Sequence, residues 1–241
     1  MIVAFRSFQD FEGWSKFPSF IEELIVANSS MRICEIGAGA NPALTQEMVL
    51  KHGLQYKAID ESENEVAKSN MAEMSAVDIC TVCNKLQGSP YDMIISRMAA
   101  EHFQDATKAY RNMFESLAPN GLCVHSFATL YSMPFLLNRL LPDSVTDYLL
   151  NAFSPRERDM HDKFKAYYSH CRGPVLSQVR FFQSIGYDVL EYRGYFGHSY
   201  YRPKMPFIHS IEMKKVQLLL KVPIPYLTSY ATVILRRPPT T

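Results

Sequence analysis

Two glycines, and an aspartate about twenty residues after them, lie in the first quarter of this 241-residue chain. Residues 33–36 are apolar enough for a short buried strand, and Gly37 and Gly39 follow it directly. Pro42 then suits the first turn of a helix, where its missing N–H is no loss. A strand, a glycine turn and a helix start direct backbone N–H groups and a positive helix end at whatever lies above the strand. The pattern predicts a cradle for a nucleotide or nucleoside.

Asp60 ends a second predicted strand, residues 56–60. It lies about twenty residues after the glycines, where doubly wound folds place an acid that binds ribose hydroxyls. Ser62 and Glu65 form a capping box, so we expect a helix to begin just after Asp60. The order strand, glycine turn, helix, strand, acid, helix predicts a doubly wound α/β fold.

Two residues help to choose between candidate cofactors. The dinucleotide fingerprint requires a third glycine where Pro42 stands. Glu35 places a carboxylate near the end of the first strand, which disfavours a pyrophosphate and favours a cationic ligand. An NAD-linked oxidoreductase is therefore the less favoured enzyme alternative.

Residues 35–39, Glu-Ile-Gly-Ala-Gly, resemble the first motif of the class I S-adenosylmethionine-dependent methyltransferases, (D/E)-x-G-x-G-x-G, with Asn41 at the third glycine. The resemblance extends to about residue 127, with the order and spacing of the motifs intact. Further positions that resemble motifs of this family are Asp60, Ala76-Val-Asp78-Ile79, Tyr91 to Ser96 as a fourth strand, Glu101-His102, and Leu117 to Gly121 before a fifth strand.

The resemblance implies a Rossmann-like sheet of seven strands, mostly parallel with one antiparallel strand, and helices on both faces. It also implies S-adenosylmethionine as cofactor and S-adenosylhomocysteine as product, with Asp60 on the ribose and Asp78 facing the adenine amino group. The cofactor-binding residues expected from it are Glu35, Gly37, Ala38, Gly39, Asp60, Glu61, Asp78, Ile79, Ser96 and Arg97.

We expect one methyltransferase domain over residues 1–241. Residues 1–30 have aromatic and aliphatic side chains at three- and four-residue steps and predict a helical cover, and residues 31–128 form the cofactor-binding half. Residues 129–173 are longer than a simple connection and predict an inserted helical cap, with a scaffold or dimer patch as the alternative. Residues 174–241 complete the sheet.

Histidines and aromatic residues near the predicted carboxyl edge are candidates for the acceptor site. If the acceptor is a hydroxyl, His102 and His198 are the expected general bases. An acceptor pocket is expected from Tyr167, Tyr168, Tyr195, Phe196 and Tyr200. The acceptor is expected to be a small apolar or aromatic molecule, and transfer to oxygen, nitrogen or carbon stays open. A binding or scaffold protein without catalysis is the non-enzyme alternative.

The composition of the chain limits the classes of partner that we expect it to bind. A formal net charge of +1 and the lack of a basic run argue against nucleic acid. Five cysteines give no disulfide framework, and the Cys80–Cys83 pair has no second pair at metal-ligand spacing. No signal peptide or membrane-spanning run is evident, so we expect a cytoplasmic protein without membrane insertion. A homodimer stays open.

Overall fold

The computed structural model describes residues 1–11, 13–71, 73–83, 85–129, 165–197 and 206–239. Eight strands in these ranges form one sheet: β1 (Ile2–Ser7), β2 (Arg32–Ile36), β3 (Gln55–Asp60), β4 (Met74–Ala76), β5 (Tyr91–Arg97), β6 (Leu117–Ala128), β7 (Asp188–Phe196) and β8 (Tyr230–Arg236). The α-helices are α1 (Phe17–Asn28), α2 (Gln46–His52), α3 (Glu63–Lys68), α4 (Ala106–Ser116), α5 (Leu176–Ile185) and α6 (Pro206–Lys221).

The strand order is β1-β7-β8-β6-β5-β2-β3-β4. Strand β8 runs antiparallel to both of its neighbours, and all other pairs are parallel. The chain proceeds from β2 to β3 and β4 on one side and returns to β5 on the other side of β2. Open α/β sheets bind ligands at such a switch point, outside the carboxyl ends of the strands. The mostly parallel Rossmann-like sheet is confirmed.

Each face of the sheet has its own apolar core. On one face α4 and α5 contribute Tyr110, Met113 and Phe182, all fully buried. On the other face α1 presents Phe17, Ile21 and Ile25 at four-residue steps. Burial of each such side chain contributes about 1.5–3 kcal/mol, so both helix layers are held on the sheet by their apolar stripes.

The first residues differ from the predicted helical cover. Ile2–Ser7 is a strand that pairs in parallel with β7, and it adds an eighth strand to the seven that were predicted. Helix α1 begins only at Phe17. Apolar residues in the first seven positions fit a strand as well as a helix, and only the pairing with β7, far along the chain, decides between them.

The predicted cap, residues 129–173, lies largely outside the described residues, which resume at position 165. Apart from Thr129, its described part is residues 165–173, which have no helix and include the positive φ angles of Tyr168 and His170, +52° and +56°. Among the helices that the structure describes, none is both long and apolar enough to cross a membrane.

Candidate functional site

The glycine turn after β2 requires its two glycines. Gly37 has a φ of +66° and Gly39 a φ of +55°, both in the left-handed region. A Cβ on Gly37 would lie 2.3 Å from the Cβ of Ala99, in the loop after β5, so a side chain there would also collide with the neighbouring element. The turn is therefore closely packed at the carboxyl edge between β2 and β5.

The N–H groups of this turn are used within the protein. The N–H groups of Gly37 and Ala38 donate to the Ile59 carbonyl, at 2.8 and 3.2 Å. The Gly39 N–H donates to Asp60 Oδ2 at 2.8 Å and the Ala40 N–H to Glu65 Oε2 at 3.2 Å. A pyrophosphate needs such N–H groups as donors. Acidic side chains and a carbonyl already accept from the turn, in agreement with the expectation from Glu35 and Pro42 that a pyrophosphate is disfavoured.

Asp60 lies at the end of β3, as the sequence predicts, and is 6% exposed. Its second carboxylate oxygen, Oδ1, accepts from the Ser62 N–H at 2.9 Å. Ser62 caps α3 by accepting from the Glu65 N–H at 3.2 Å, which confirms the predicted helix start. The side chain of Glu65, predicted only as part of the cap, instead reaches the glycine turn.

Three acids lie together at the carboxyl ends of β3 and β4. Burial raises the pKa of Glu61, and the negative charges of Asp78 and Asp60 raise it further. Asp78 Oδ1 accepts from the Cys80 N–H at 2.7 Å, and Ile79 beside it is buried. The structure thus brings Asp60, Glu61, Asp78 and Ile79 together, and the site favours ligands with hydrogen-bond donors or positive charge.

Glu35 is buried beneath the turn, with 1% exposure. Its carboxylate accepts from the Ala43 N–H, at 2.8 and 3.0 Å to its two oxygens, and from the Tyr56 hydroxyl at 2.6 Å. Burial raises the pKa of Glu35, while these donors favour its charged form. Sequence reasoning expected a direct cofactor contact, and the geometry shows a carboxylate that holds the loop over residues 37–43.

Arg97, at the end of β5, links that loop to the N-terminal segment. Its guanidinium lies 3.9 Å from the centre of the Trp14 ring, and it donates to the carbonyls of Trp14 at 3.0 Å and Asn41 at 2.7 Å. Burial lowers the pKa of Arg97. These contacts of Arg97 join the N-terminal segment to the glycine turn. Trp14 was not predicted as a site residue, because only the folded chain brings it next to Arg97.

Ser96 has its side chain in the core. Its Oγ lies 2.6 Å from His125 Nδ1, and the other ring nitrogen of His125 lies 2.9 Å from the sulfur of Cys123. Ser96 and His125 are fully buried, and burial lowers the pKa of His125 to about 3. The imidazole is therefore neutral, and the Ser96 hydroxyl faces it and not the glycine turn.

His102 lies in a short 3₁₀ helix, Ala100–His102, just after β5. Its Nδ1 is 3.1 Å from the Lys165 carbonyl oxygen. An imidazole that donates there has Nε2 as its acceptor nitrogen, a tautomer assigned from this contact. Burial lowers the pKa of His102, and the charge of Asp60 acts in the opposite direction. The predicted base candidate is thus a half-buried imidazole within electrostatic range of the ribose-binding candidate.

Glu101, next to His102, belongs to the Glu-His pair but was not predicted as a site residue. It is 6% exposed, and within the described residues its Oε2 has no hydrogen-bond partner. Burial raises its pKa to about 7. Its backbone carbonyl accepts from the N–H groups of Tyr167 at 2.8 Å and Tyr168 at 3.0 Å. Two predicted acceptor-pocket residues are therefore bonded to the backbone of the residue that carries this buried carboxyl group.

Tyr195 and Phe196, which the sequence analysis expects in an acceptor pocket, belong to β7 and are buried. Tyr195 stacks on Phe11 and Tyr230, with ring centres 5.3 and 4.7 Å apart, and Phe196 stacks on Phe5 at 5.6 Å. Core packing accounts for both side chains. His198 and Tyr200 lie outside the described residues. Within the described ranges no group of three His, Cys, Asp or Glu side chains is placed to hold a metal ion.

A family model described as a methyltransferase domain matches residues 8–172, more than half of the chain. The malonyl-[acyl-carrier protein] O-methyltransferase of Bacillus anthracis is 31% identical over 111 residues, 45% of this chain and 41% of that protein. The match with this curated relative therefore spans about two-fifths of its length.

Two solved structures have the same fold. An S-adenosylmethionine-dependent methyltransferase from Mesorhizobium loti aligns with a TM-score of 0.58 at 15% identity, over 94% of this chain and 99% of that one. The plantazolicin methyltransferase BpumL, in a complex that contains SAH, aligns with a TM-score of 0.53 at 14% identity, over 96% and 87%. Together with the match to the family model, the glycine turn and the acids around it show that the chain belongs to the S-adenosylmethionine-dependent methyltransferase family.

Proposed function

We propose that this protein transfers a methyl group from S-adenosylmethionine to a small apolar or aromatic molecule. The observation that supports it most is the acidic lining of the cradle by Asp60, Glu61 and Asp78. S-adenosylmethionine presents ribose hydroxyls, an adenine amino group and positive charge, which suit carboxylates. A pyrophosphate would meet these negative charges and a turn whose N–H groups are already bonded, so the geometry favours S-adenosylmethionine over NAD.

The described residues divide into those that would touch the cofactor and those that would act through the turn. Asp60 would bind the ribose hydroxyls and Asp78 the adenine amino group. Ile79 and the backbone of residues 37–39 would contact the cofactor between these two groups. Glu35 and Arg97 hold the turn and the N-terminal segment in position. When bound, S-adenosylmethionine supplies a methyl carbon already activated by the sulfonium, so the protein has mainly to align the acceptor.

The acceptor is proposed to bind over the carboxyl ends of β5 and β6, where Glu101, His102, Tyr167 and Tyr168 meet. Alignment of reactants contributes roughly 7–11 kcal/mol, whereas a general base contributes about 10²–10⁴ in rate. His102 is the proposed proton acceptor if transfer is to oxygen, because its imidazole is neutral near neutral pH. Glu101 is the second proton-accepting candidate on this side, and His198 stays a proposal from the sequence.

Incubation with methyl-labelled S-adenosylmethionine and a panel of small acceptors tests the function. The panel should contain apolar and aromatic alcohols, amines and carboxylic acids, with an acyl thioester included because the curated relative is named for malonyl-acyl-carrier protein. We expect labelled product from at least one apolar or aromatic member, and much less product from an Asp60→Asn variant at the same subsaturating cofactor concentration. Cofactor binding without transfer to any member would favour the non-catalytic alternative.

A further inference from the structure

Helix α6 has apolar side chains on two opposite faces. Its inner face packs on the sheet through Val216 and Leu219, which form a cluster with Phe196. Its outer face has Phe207, Ile211 and Leu218, spaced by four and seven residues, and Val222 continues this stripe four residues later. These four side chains, which we call the outer stripe, are 77%, 54%, 63% and 63% exposed.

The exposed apolar surface continues past the helix to Ile224, Tyr226 and Leu227. Residues 207–227 contain about half of the exposed large apolar side chains of the described chain. Single exposed apolar residues are ordinary, but a contiguous patch of this kind marks an interaction surface.

The exposed charges beside the outer stripe within residues 206–227 are positive. Lys214 and Lys221 each follow a stripe residue by three positions, so they lie beside it on the same face, and both are exposed. Glu212 is the only acid in residues 206–227, and it is buried and paired with Lys215 at 2.7 Å. An apolar stripe flanked by lysines is the pattern of a helix that lies in the interface of an anionic bilayer.

We propose that the outer stripe, with Lys214 and Lys221, docks reversibly on an anionic lipid surface. A second copy of this chain is the less suitable occupant, because a two-fold interface would bring the same lysines together with no exposed acid of residues 206–227 to meet them. A bilayer instead accepts the apolar side chains while the lysine side chains extend to the lipid headgroups.

The way residues 206–227 connect to the sheet determines which edge of the sheet would face the lipid surface. Strand β7 ends at Phe196 before α6, and β8 begins at Tyr230, which pairs with Ala128 and Tyr195. The segment therefore leaves and rejoins the sheet at the carboxyl edge. Docking would hold this edge, with the cradle and the proposed acceptor site, close to the lipid surface.

Co-sedimentation of the full chain with vesicles tests the proposal. One set of vesicles is phosphatidylcholine alone, and the other is equimolar phosphatidylcholine and phosphatidylglycerol. We expect binding to the anionic set, weaker binding to the neutral set, and a decrease with added salt. Ile211→Glu with Leu218→Glu should weaken binding to anionic vesicles roughly tenfold or more, and Lys214→Glu with Lys221→Glu should weaken it as well.

Leu50→Glu, at a 71% exposed position on α2, is the matched control and should bind as the wild type does. Unchanged unfolding temperatures would show that the stripe variants are folded. Wild-type protein that ignores anionic vesicles, or stripe variants that bind them equally well, would overturn the proposal. Sedimentation velocity that finds a wild-type dimer and a monomeric stripe variant would assign the face to a second copy and also overturn it.

Discussion

A hydrogen bond of 2.8 Å joins the Gly39 N–H to Asp60 Oδ2. It links the turn after β2 to the end of β3, so the acid expected to bind the ribose also fixes the backbone that is expected to face the cofactor. A change at Asp60 therefore affects both the direct contact and the shape of the turn. Variants that keep its size are needed to separate the two effects.

Gly37 and Gly53 provide a matched test of the turn. Both have left-handed φ angles, +66° and +61°, but only Gly37 has a neighbour, the Ala99 Cβ, that a new Cβ would meet at 2.3 Å. Gly53→Ala should cost about 1–2 kcal/mol from backbone strain alone. Gly37→Ala adds overpacking and should cost about 2–5 kcal/mol and weaken cofactor binding. Denaturant unfolding measures both, and equal losses would refute the close packing at Gly37.

Trp14 is the only tryptophan of the chain, so its fluorescence reports on the Arg97 contact. Arg97→Lys keeps a positive charge but loses the planar group that stacks on the Trp14 ring and donates to the two carbonyls of Trp14 and Asn41. We expect a shift in Trp14 emission and weaker cofactor binding in this variant. Arg236→Lys, whose arginine pairs with Asp188, is the control and should leave the emission unchanged. Wild-type emission in Arg97→Lys would contradict the link between the N-terminal segment and the turn.

Glu101 makes stability depend on pH. Its pKa is raised from 4.5 to about 7, so the folded state holds a proton that the unfolded chain releases. The stabilisation is complete below pH 4.5 and is lost as the pH rises through 7, by about 3 kcal/mol. Glu101→Gln should remove this decrease in the free energy of unfolding, whereas Glu23→Gln, at an exposed position of α1, should retain it. The same slope in Glu101→Gln and wild type would exclude a buried titrating carboxyl there.

His102 can be tested once an acceptor hydroxyl is known. Because burial lowers its pKa below 6.5, turnover should rise with pH through a value below 6.5 and then level. His102→Ala should reduce turnover about 10²–10⁴-fold with cofactor affinity nearly unchanged. His52→Ala, at a histidine that pairs with Glu22, is the control. Wild-type turnover in His102→Ala would show that His102 is not the proton acceptor. The protein would then contribute to catalysis by aligning the reactants, or through Glu101 as the proton acceptor.

Local spacing predicts much of this molecule because strands, turns and caps depend on nearby residues. The glycine turn, Asp60 at a strand end and the Ser62 cap all follow from short patterns and are confirmed. Contacts between distant segments do not follow from such patterns. The pairing of β1 with β7, the Tyr56 hydroxyl on Glu35 and the Trp14 ring on Arg97 each depend on the folded sheet. The burial that gives Glu101 its raised pKa has the same origin.

Titration calorimetry with S-adenosylhomocysteine tests whether this chain binds the cofactor through Asp60. Asp92 is a matched control for Asp60, because its carboxylate also accepts from two backbone N–H groups but lies at the amino end of the sheet. The N–H groups of Met31 and Arg32 both donate to Asp92 Oδ2 at 2.9 Å. We predict one site per chain, an affinity about 10–100-fold weaker in Asp60→Asn, wild-type affinity in Asp92→Asn, and no binding of NAD. Unchanged affinity in Asp60→Asn, or binding of NAD in place of S-adenosylhomocysteine, would contradict the account.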